Sequence, residues 1–321
     1  MKSGKKCVLL NDTAHIVHPG SRLVSQNIHR LFSSVGLEIV QKEPYSTFYG
    51  DAVWDKVRAN RPDLIVIHGE GGLHSSASRP WVRQLLKQTR IVSGELKIPF
   101  AVINSVVQDL EPDALDHLRA ASAIFVRENL SRDYLRSHDI EAETVPDLSV
   151  ALPVADFPTR QSGPLVIDST IKSVKHDLKV YAKDNGLEFI SMQPPLSYRG
   201  IKRFHNHPIY HRVFSRFAEP ERALRRIAQA KNAVTGRFHG VMFCLLTKTP
   251  FHAIESNTHK VSATCMDVFG NTERVYPSVE ALRDAPSGIA WSKDEMQQVE
   301  NYLTKGQERA QAMVGKLMEL A

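Results

Sequence analysis

Along the first half of the chain, short unbroken apolar runs alternate with stretches of helical period. Cys7-Val8-Leu9-Leu10 has the character of a strand buried on both faces. Ser21 opens a helix whose apolar positions Val24, Ile28, Leu31 and Val35 recur at steps of four, three and four, and Gly36 ends it. Leu37 to Val40 then reads as a strand, Val53, Trp54 and Val57 as a helix, Leu64 to Ile67 as a strand, and Trp81, Leu85 and Leu86 as a helix. Phe100 to Ile103, a helix after Pro112, Ala123 to Val126 and a helix from Asn129 to Arg136 continue the alternation. Apolar strands separated by helices predict a parallel sheet covered on both faces.

Between Pro153 and Pro164 proline, glycine and polar residues interrupt the rhythm, as a linker near 156–163 would. A second series follows. Leu165 to Ile167, Leu187 to Ile190, Ala233-Val234 and Phe251 to Ile254 are the expected strands, with helices at 174–184, 217–230, 239–247 and 258–268. A long carboxyl-terminal helix opens on the capping box Ser292/Glu295. The expectation is two doubly wound α/β domains, 1–155 and 163–321, with a cleft between them and the last helix belonging to the second.

Length supports that division, since 321 residues exceed one comfortable core. An apolar fraction of 42% and a charged fraction of 24% exclude disorder and low complexity. No apolar run approaches the roughly 20 residues of a membrane helix, and neither a signal peptide nor a span is expected. Cys7, Cys244 and Cys265 lack CxxC spacing and read as reduced core thiols of a cytoplasmic protein. The net charge of +6 favours an anionic ligand or an anionic membrane surface, so peripheral contact with the inner face of a membrane is compatible with it. Basic residues cluster between Tyr198 and Arg226, but no nucleic-acid module accompanies them, and no nucleic-acid partner is expected.

The strongest chemical signal is Thr235-Gly236-Arg237-Phe238-His239-Gly240, a strand end running into an apolar helix. In parallel sheets ligands collect at such ends, where helix amides and the dipole favour an anion. Gly236 and Gly240 would allow close backbone approach, Arg237 would grip a carboxylate or phosphate, and His239 would exchange a proton. A second signal, His68-Gly69-Glu70-Gly71-Gly72-Leu73-His74, follows the strand ending at Ile67; its glycines suit a backbone lying against a ligand, and His68, Glu70 and His74 offer acid, base and hydrogen-bonding groups. Asn11-Asp12-Thr13 with His15, His18-Pro19-Gly20-Ser21, and Asn104-Ser105 bring ligand-type groups to further strand ends or helix starts. The histidines of FHNHPIYH, His205, His207 and His211, lack a metal framework and read as a basic loop facing an acidic acceptor or phosphate. GxGxxG, GxSxG and Walker loops are absent, and neither cofactor nor metal is expected.

These elements together resemble the polysaccharide pyruvyl transferase family. The resemblance rests on VIHGEGGL at 66–73, Val126-Arg127-Glu128 with Ser131 and Tyr134-Leu135, Val145-Pro146-Asp147 with Val150, TGRFHG at 235–240, and PFHAIESNTHK at 250–260. It implies two Rossmann-like domains in a glycosyltransferase-B-like arrangement, with the acceptor on the first and the donor on the second. It also implies transfer of pyruvyl from phosphoenolpyruvate to hydroxyls of a cell-surface glycan or its precursor, lipid-linked carriers included. Arg237 and His239 would engage the donor, His239 serving as acid and either Glu70 or Asp12 as base. Ser169, Thr170, Asn257 and Lys260 complete the expected binding set with His68, Gly71, Gly72, His74, Gly236 and Gly240. Two departures stand out: Asp168-Ser169-Thr170 occupies the place where the family usually has an arginine, and Asn11-Asp12-Thr13 replaces its early asparagine–glycine–aspartate element. They leave two alternative expectations, a glycosyltransferase using a nucleotide-activated sugar and a non-catalytic glycan- or phosphate-binding protein.

Overall fold

The computed structural model describes residues 4–44, 49–157, 162–193, 218–283 and 289–321. They form two compact units, one of Met1–Ala14, Val24–Ala151 and Gly306–Ala321, the other of His15–Leu23 and Leu152–Lys305. The carboxyl-terminal helix therefore contributes to both units, whereas the expectation placed it wholly in the second. The reason lies in its last turns, where Ala310, Met313, Val314 and Leu317 are buried and Lys316 bonds Glu143 of the first unit.

The first unit contains β1 (Lys5–Asp12), α1 (Pro19–Val35), β2 (Leu37–Pro44), α2 (Asp51–Asn60), β3 (Leu64–His68), β4 (Leu73–His74), α3 (Pro80–Lys87), β5 (Phe100–Ser105), β6 (Val107–Gln108), α4 (Pro112–Arg119), β7 (Ala123–Val126), α5 (Asn129–Arg136) and β8 (Glu143–Thr144). Residues 19–23 of α1 count with the second unit. Six strands form one parallel sheet in the order β2-β1-β3-β5-β7-β8, and β4 and β6 make a separate two-stranded pair. Val8, Leu10, Ile65, Ile67 and Val102 bury one face of the central strands against Trp54, Val82 and Leu86. Burial on both faces is why these strands read as continuous apolar runs.

The second unit contains β9 (Leu165–Ser169), α6 (Lys172–Asp184), β10 (Glu188–Ile190), α7 (Pro220–Ala228), β11 (Ala233–Gly236), α8 (Phe238–Leu246), β12 (Phe251–Ile254), α9 (Lys260–Phe269), β13 (Val275–Tyr276), α10 (Val279–Arg283) and part of α11 (Lys293–Leu320). Its five strands are parallel in the order β10-β9-β11-β12-β13. The Ser292/Glu295 box forms as expected: Ser292 N–H donates to Glu295 Oε2 at 2.8 Å and Glu295 N–H to Ser292 Oγ at 3.1 Å. Both sheets are doubly wound and Rossmann-like. All three cysteines are buried and free, and burial raises their thiols, Cys7 and Cys265 to about 12. Among the described residues no helix is long and apolar enough to cross a membrane. His205, His207, His211 and much of the basic stretch from Tyr198 lie outside the described residues.

Candidate active site

Strand order locates the ligand edge of each sheet. In the first unit the winding reverses between β1 and β3, and in the second between β9 and β11. At such a reversal the crossover helices leave to opposite faces and open a crevice at the carboxyl ends of the two strands. The sequence signals fall at these places: Asn11 and Asp12 end β1, His68 ends β3 and leads to Glu70, Asp168 and Ser169 end β9, and Gly236 ends β11 before α8.

In the first unit, Asp12 is buried and accepts from Ser25 Oγ at 2.7 Å and Ala14 N–H at 3.2 Å, with His29 Nε2 at 3.8 Å. Burial would raise its carboxyl, but the bonds from His29 and Ser25, the His29 charge and the Ala14 amide outweigh it and bring it down to about 2. His68 is 0% exposed, with Nε2 3.2 Å from Glu70 Oε2 and 3.1 Å from Asn104 Nδ2. Asn11, Glu70 and Asn104, at the ends of the adjacent strands β1, β3 and β5, all take left-handed backbone (φ 66, 51 and 54). Such conformations in non-glycine residues concentrate at functional sites.

Two glycines of this segment pack closely against the protein's own side chains. Gly71 has φ −73, and the left-handed position belongs to Glu70. A Cβ on Gly72 would lie 2.7 Å from the Trp81 ring and one on Gly69 1.7 Å from Ser105 Oγ, so Gly69 and Gly72 admit neighbouring side chains of the protein itself. His74 lies in β4, in contact with Arg79 and 3.3 Å from Ser75 Oγ. Two further family-like elements are architectural. Arg127 Nη1 meets Asp147 Oδ2 at 2.6 Å in a buried pair, and Glu128 caps α5 through Ser131 N–H at 2.8 Å.

In the second unit, Arg237 precedes α8 and is 3% exposed. Its Nε donates to Asp168 Oδ1 at 2.5 Å and its Nη2 to Asp168 Oδ2 at 3.1 Å and the Ser169 carbonyl at 3.5 Å. Asp168, 0% exposed, also accepts from Ser191 Oγ at 2.6 Å and Met192 N–H at 3.2 Å and lies 3.2 Å from Lys175 Nζ. Burial opposes its charge, but the bonds and charge of Arg237, then Ser191 and Lys175, hold the carboxyl below the ordinary range. His239 occupies the first turn of α8, which carries no acidic residue, and is 6% exposed. The His18 ring lies 5.2 Å from the His239 ring, and a Cβ on Gly20 would come within 2.1 Å of it. His18 Nδ1 accepts from Ser21 N–H at 3.3 Å and so caps α1.

Gly236 and Gly240 again serve packing: a Cβ would sit 2.6 Å from Ser169 Cβ in the first case and 2.2 Å from Thr235 Oγ1 in the second. Thr170 is exposed beside the end of β9. Lys260 Nζ donates to the exposed Asn257 at 2.7 Å, while Glu255 accepts from Val261 N–H at 3.2 Å and Ser262 N–H at 3.0 Å. The amino end of α9 thus already holds a carboxylate. Sequence reasoning missed Asp168 as the partner of Arg237 and Gly20 as the neighbour of His239; an acidic residue closing the strand beside an arginine-bearing turn was the available signal for the first. Among the described residues no group of three or more metal-ligating side chains occurs.

Comparison with known proteins agrees with this geometry. No curated protein matches the sequence. Among solved structures, UDP-GlcNAc 2-epimerase from Methanocaldococcus jannaschii is 12% identical at TM-score 0.53, covering 98% of this chain and 99% of its own. The same enzyme with UDP-GlcNAc and UDP gives 0.53 at 12% identity, covering 94% and 100%. The MnaA–UDP structure from S. aureus gives 0.53 at 10%, covering 96% and 94%. These likenesses show a fold of the glycosyltransferase-B-like class built from Rossmann-like sheets. The family model for polysaccharide pyruvyl transferase matches residues 21–258, a span that contains both Glu70 and the Arg237–His239 turn, and the chain belongs to the polysaccharide pyruvyl transferase family.

Proposed function

We propose that the protein transfers pyruvyl from phosphoenolpyruvate to hydroxyls of a glycan or glycan precursor, with donor groups in the second unit and acceptor groups in the first. The observation that carries this reading is the Arg237–His239 turn at the β9/β11 reversal. There a buried guanidinium, a histidine and the acid-free first turn of α8 suit a small dianion carrying carboxylate and phosphate. Arg237 Nη1, which makes no hydrogen bond among the described residues, is the arm assigned to the donor.

The chemistry balances with two acceptor hydroxyls. One oxygen attacks C2 of phosphoenolpyruvate while His239 delivers a proton to C3, turning the methylene into a methyl group; phosphate then leaves with the C2–O pair as the second hydroxyl closes the ketal. One hydroxyl proton goes to the base and restores the acid, and the other leaves on phosphate. Of the two base candidates, Glu70 suits the task, since a carboxyl held at about 2, as in Asp12, is a weak proton acceptor. A lipid-carried acceptor would bring the reaction to the cytoplasmic face of a membrane, to which a net charge of +6 is suited.

A second reading, a glycosyltransferase using a nucleotide-activated sugar, is favoured by the fold match to proteins solved with UDP. Thermal unfolding with phosphoenolpyruvate, UDP-sugars and CMP-sugars separates the two, because a ligand at 100 times its Kd stabilises the folded state by about 2.7 kcal/mol. A shift with phosphoenolpyruvate, followed by phosphate release on adding acceptor glycans, is expected. A shift with a nucleotide sugar alone would overturn the pyruvyl reading, and binding with no turnover on any acceptor would point to a binding protein.

A further inference from the structure

Asp168, near the end of β9, gathers more donors than one carboxylate can hold. Its Oδ1 accepts from Arg237 Nε at 2.5 Å and Met192 N–H at 3.2 Å, and its Oδ2 from Arg237 Nη2 at 3.1 Å and Ser191 Oγ at 2.6 Å. Those bonds take up the roughly four lone-pair positions of a carboxylate, and the guanidinium balances its charge. Lys175 Nζ, 3.2 Å from Oδ2, is a second cation on the same single charge. It donates one long bond, to Ser191 Oγ at 3.4 Å, and that oxygen also accepts from Gln193 N–H at 3.2 Å. Among the described residues Asp168 is the one carboxylate that either cation meets, so two cations face one anion and a positive charge is left over. Lys175 stands one turn into α6, the helix that follows β9, whose first turn carries no acidic residue. Its side chain is 37% exposed against 4% for that of Arg237, so the surplus charge is the one a ligand can reach first.

We propose that Lys175 binds the phosphoryl group of the donor and leaves Arg237 to the donor's carboxylate. A guanidinium already set on one planar carboxylate offers its remaining N–H groups to another planar group, whereas an ammonium is a rotatable point charge that fits a tetrahedral phosphate. A phosphate monoester carries between one and two negative charges near neutral pH, so the surplus positive charge is worth more to it than to a carboxylate. The assignment of the ligand rests on the donor reading of the Arg237–His239 turn; the surplus charge does not.

Isothermal titration of the full chain with inorganic phosphate, pyruvate and phosphoenolpyruvate tests this. Lys175→Met is expected to raise the Kd of phosphate and of phosphoenolpyruvate about tenfold, the low end for a charge-assisted bond, and to leave that of pyruvate unchanged. Lys179→Met, which removes a charge from an exposed position of the same helix, is expected to change none of the three. Unchanged phosphate binding in Lys175→Met, pyruvate weakened as much as phosphate, or equal weakening by Lys179→Met would each overturn the proposal, as would a wild type that binds neither phosphate nor phosphoenolpyruvate. Should Lys175→Met not fold, reductive methylation of the wild type decides: phosphate is expected to shield Lys175 and not Lys179, and equal labelling of Lys175 with and without phosphate would overturn the assignment. If these results hold and no pyruvyl reaches any acceptor, the pyruvyl reading fails alone; transfer with unaltered Kd values in Lys175→Met sinks the Lys175 assignment alone.

Discussion

Arg237 and Asp168 meet through two parallel hydrogen bonds, Nε to Oδ1 at 2.5 Å and Nη2 to Oδ2 at 3.1 Å, with both side chains buried. Asp168 thus fixes one edge of the Arg237 guanidinium. A guanidinium held on one edge presents the other in a set direction, a form of pre-organisation that lessens the entropy lost on binding.

Arg237→Lys retains the charge but loses this geometry, because a point ammonium cannot span both carboxylate oxygens and also reach a donor. Donor binding should weaken by about 10- to 150-fold, equivalent to one charge-assisted bond of about 1.5–3 kcal/mol. Isothermal titration with phosphoenolpyruvate on protein shown to be folded checks it; unchanged affinity would remove Arg237 from the donor site.

His239→Asn keeps a polar side chain without an exchangeable imidazole proton. Turnover should fall by about 10²–10⁴-fold, the usual contribution of a general acid, while donor affinity stays near that of the wild type. Activity within a few-fold of wild type on a validated acceptor would make His239 structural.

Gly20→Ala probes the His239 ring from outside the helix that carries it. The added Cβ would lie 2.1 Å from the ring, near its attachment to the main chain, and Gly20 is not among the glycines with positive φ. The expected cost is therefore one of overpacking, about 1–3 kcal/mol of stability, together with reduced turnover from a displaced imidazole. Denaturant unfolding and steady-state rates measured side by side would expose a wrong placement, which would leave both unchanged.

Acid should unfold the protein partly through Asp12 and Asp168, whose carboxyls are lowered in the folded state. For Asp12 the linked stability is complete above its ordinary value of 3.8 and is lost as pH falls toward about 2. Asp12→Asn should thus flatten the fall of unfolding free energy over that window. Urea titrations at a series of pH values check this, and an undiminished slope would argue against a lowered Asp12.

The strands were legible because burial on both faces leaves a continuous apolar run, as in Leu64 to Ile67 and Phe100 to Ile103. Ends marked by local chemistry were legible too: Gly36 takes the left-handed turn after α1, and Ser292/Glu295 starts α11. The candidate site was readable as strand-end positions but not as bonds. No local pattern reveals that Asp168 reaches Arg237 across 69 residues, or that Asn104 turns its amide toward His68. Gly236 and Gly240 suggest an approaching ligand, yet the atoms that need their space belong to Ser169 and Thr235.

The left-handed backbones at Asn11, Glu70 and Asn104 set evolution and engineering at odds along one edge of the first sheet. Each non-glycine residue held there costs folding free energy on the order of 1 kcal/mol that glycine would not incur. At 11 and 104 that cost is offset by buried side-chain bonds, Asn11 Nδ2 to the His68 carbonyl and Leu148 N–H to Asn104 Oδ1, so a library selected for heat resistance alone should drift toward glycine at 70, while one selected for turnover should refuse it there. Consensus-style stabilisation that leaves codon 70 open would harden the scaffold by erasing the carboxylate proposed as the base.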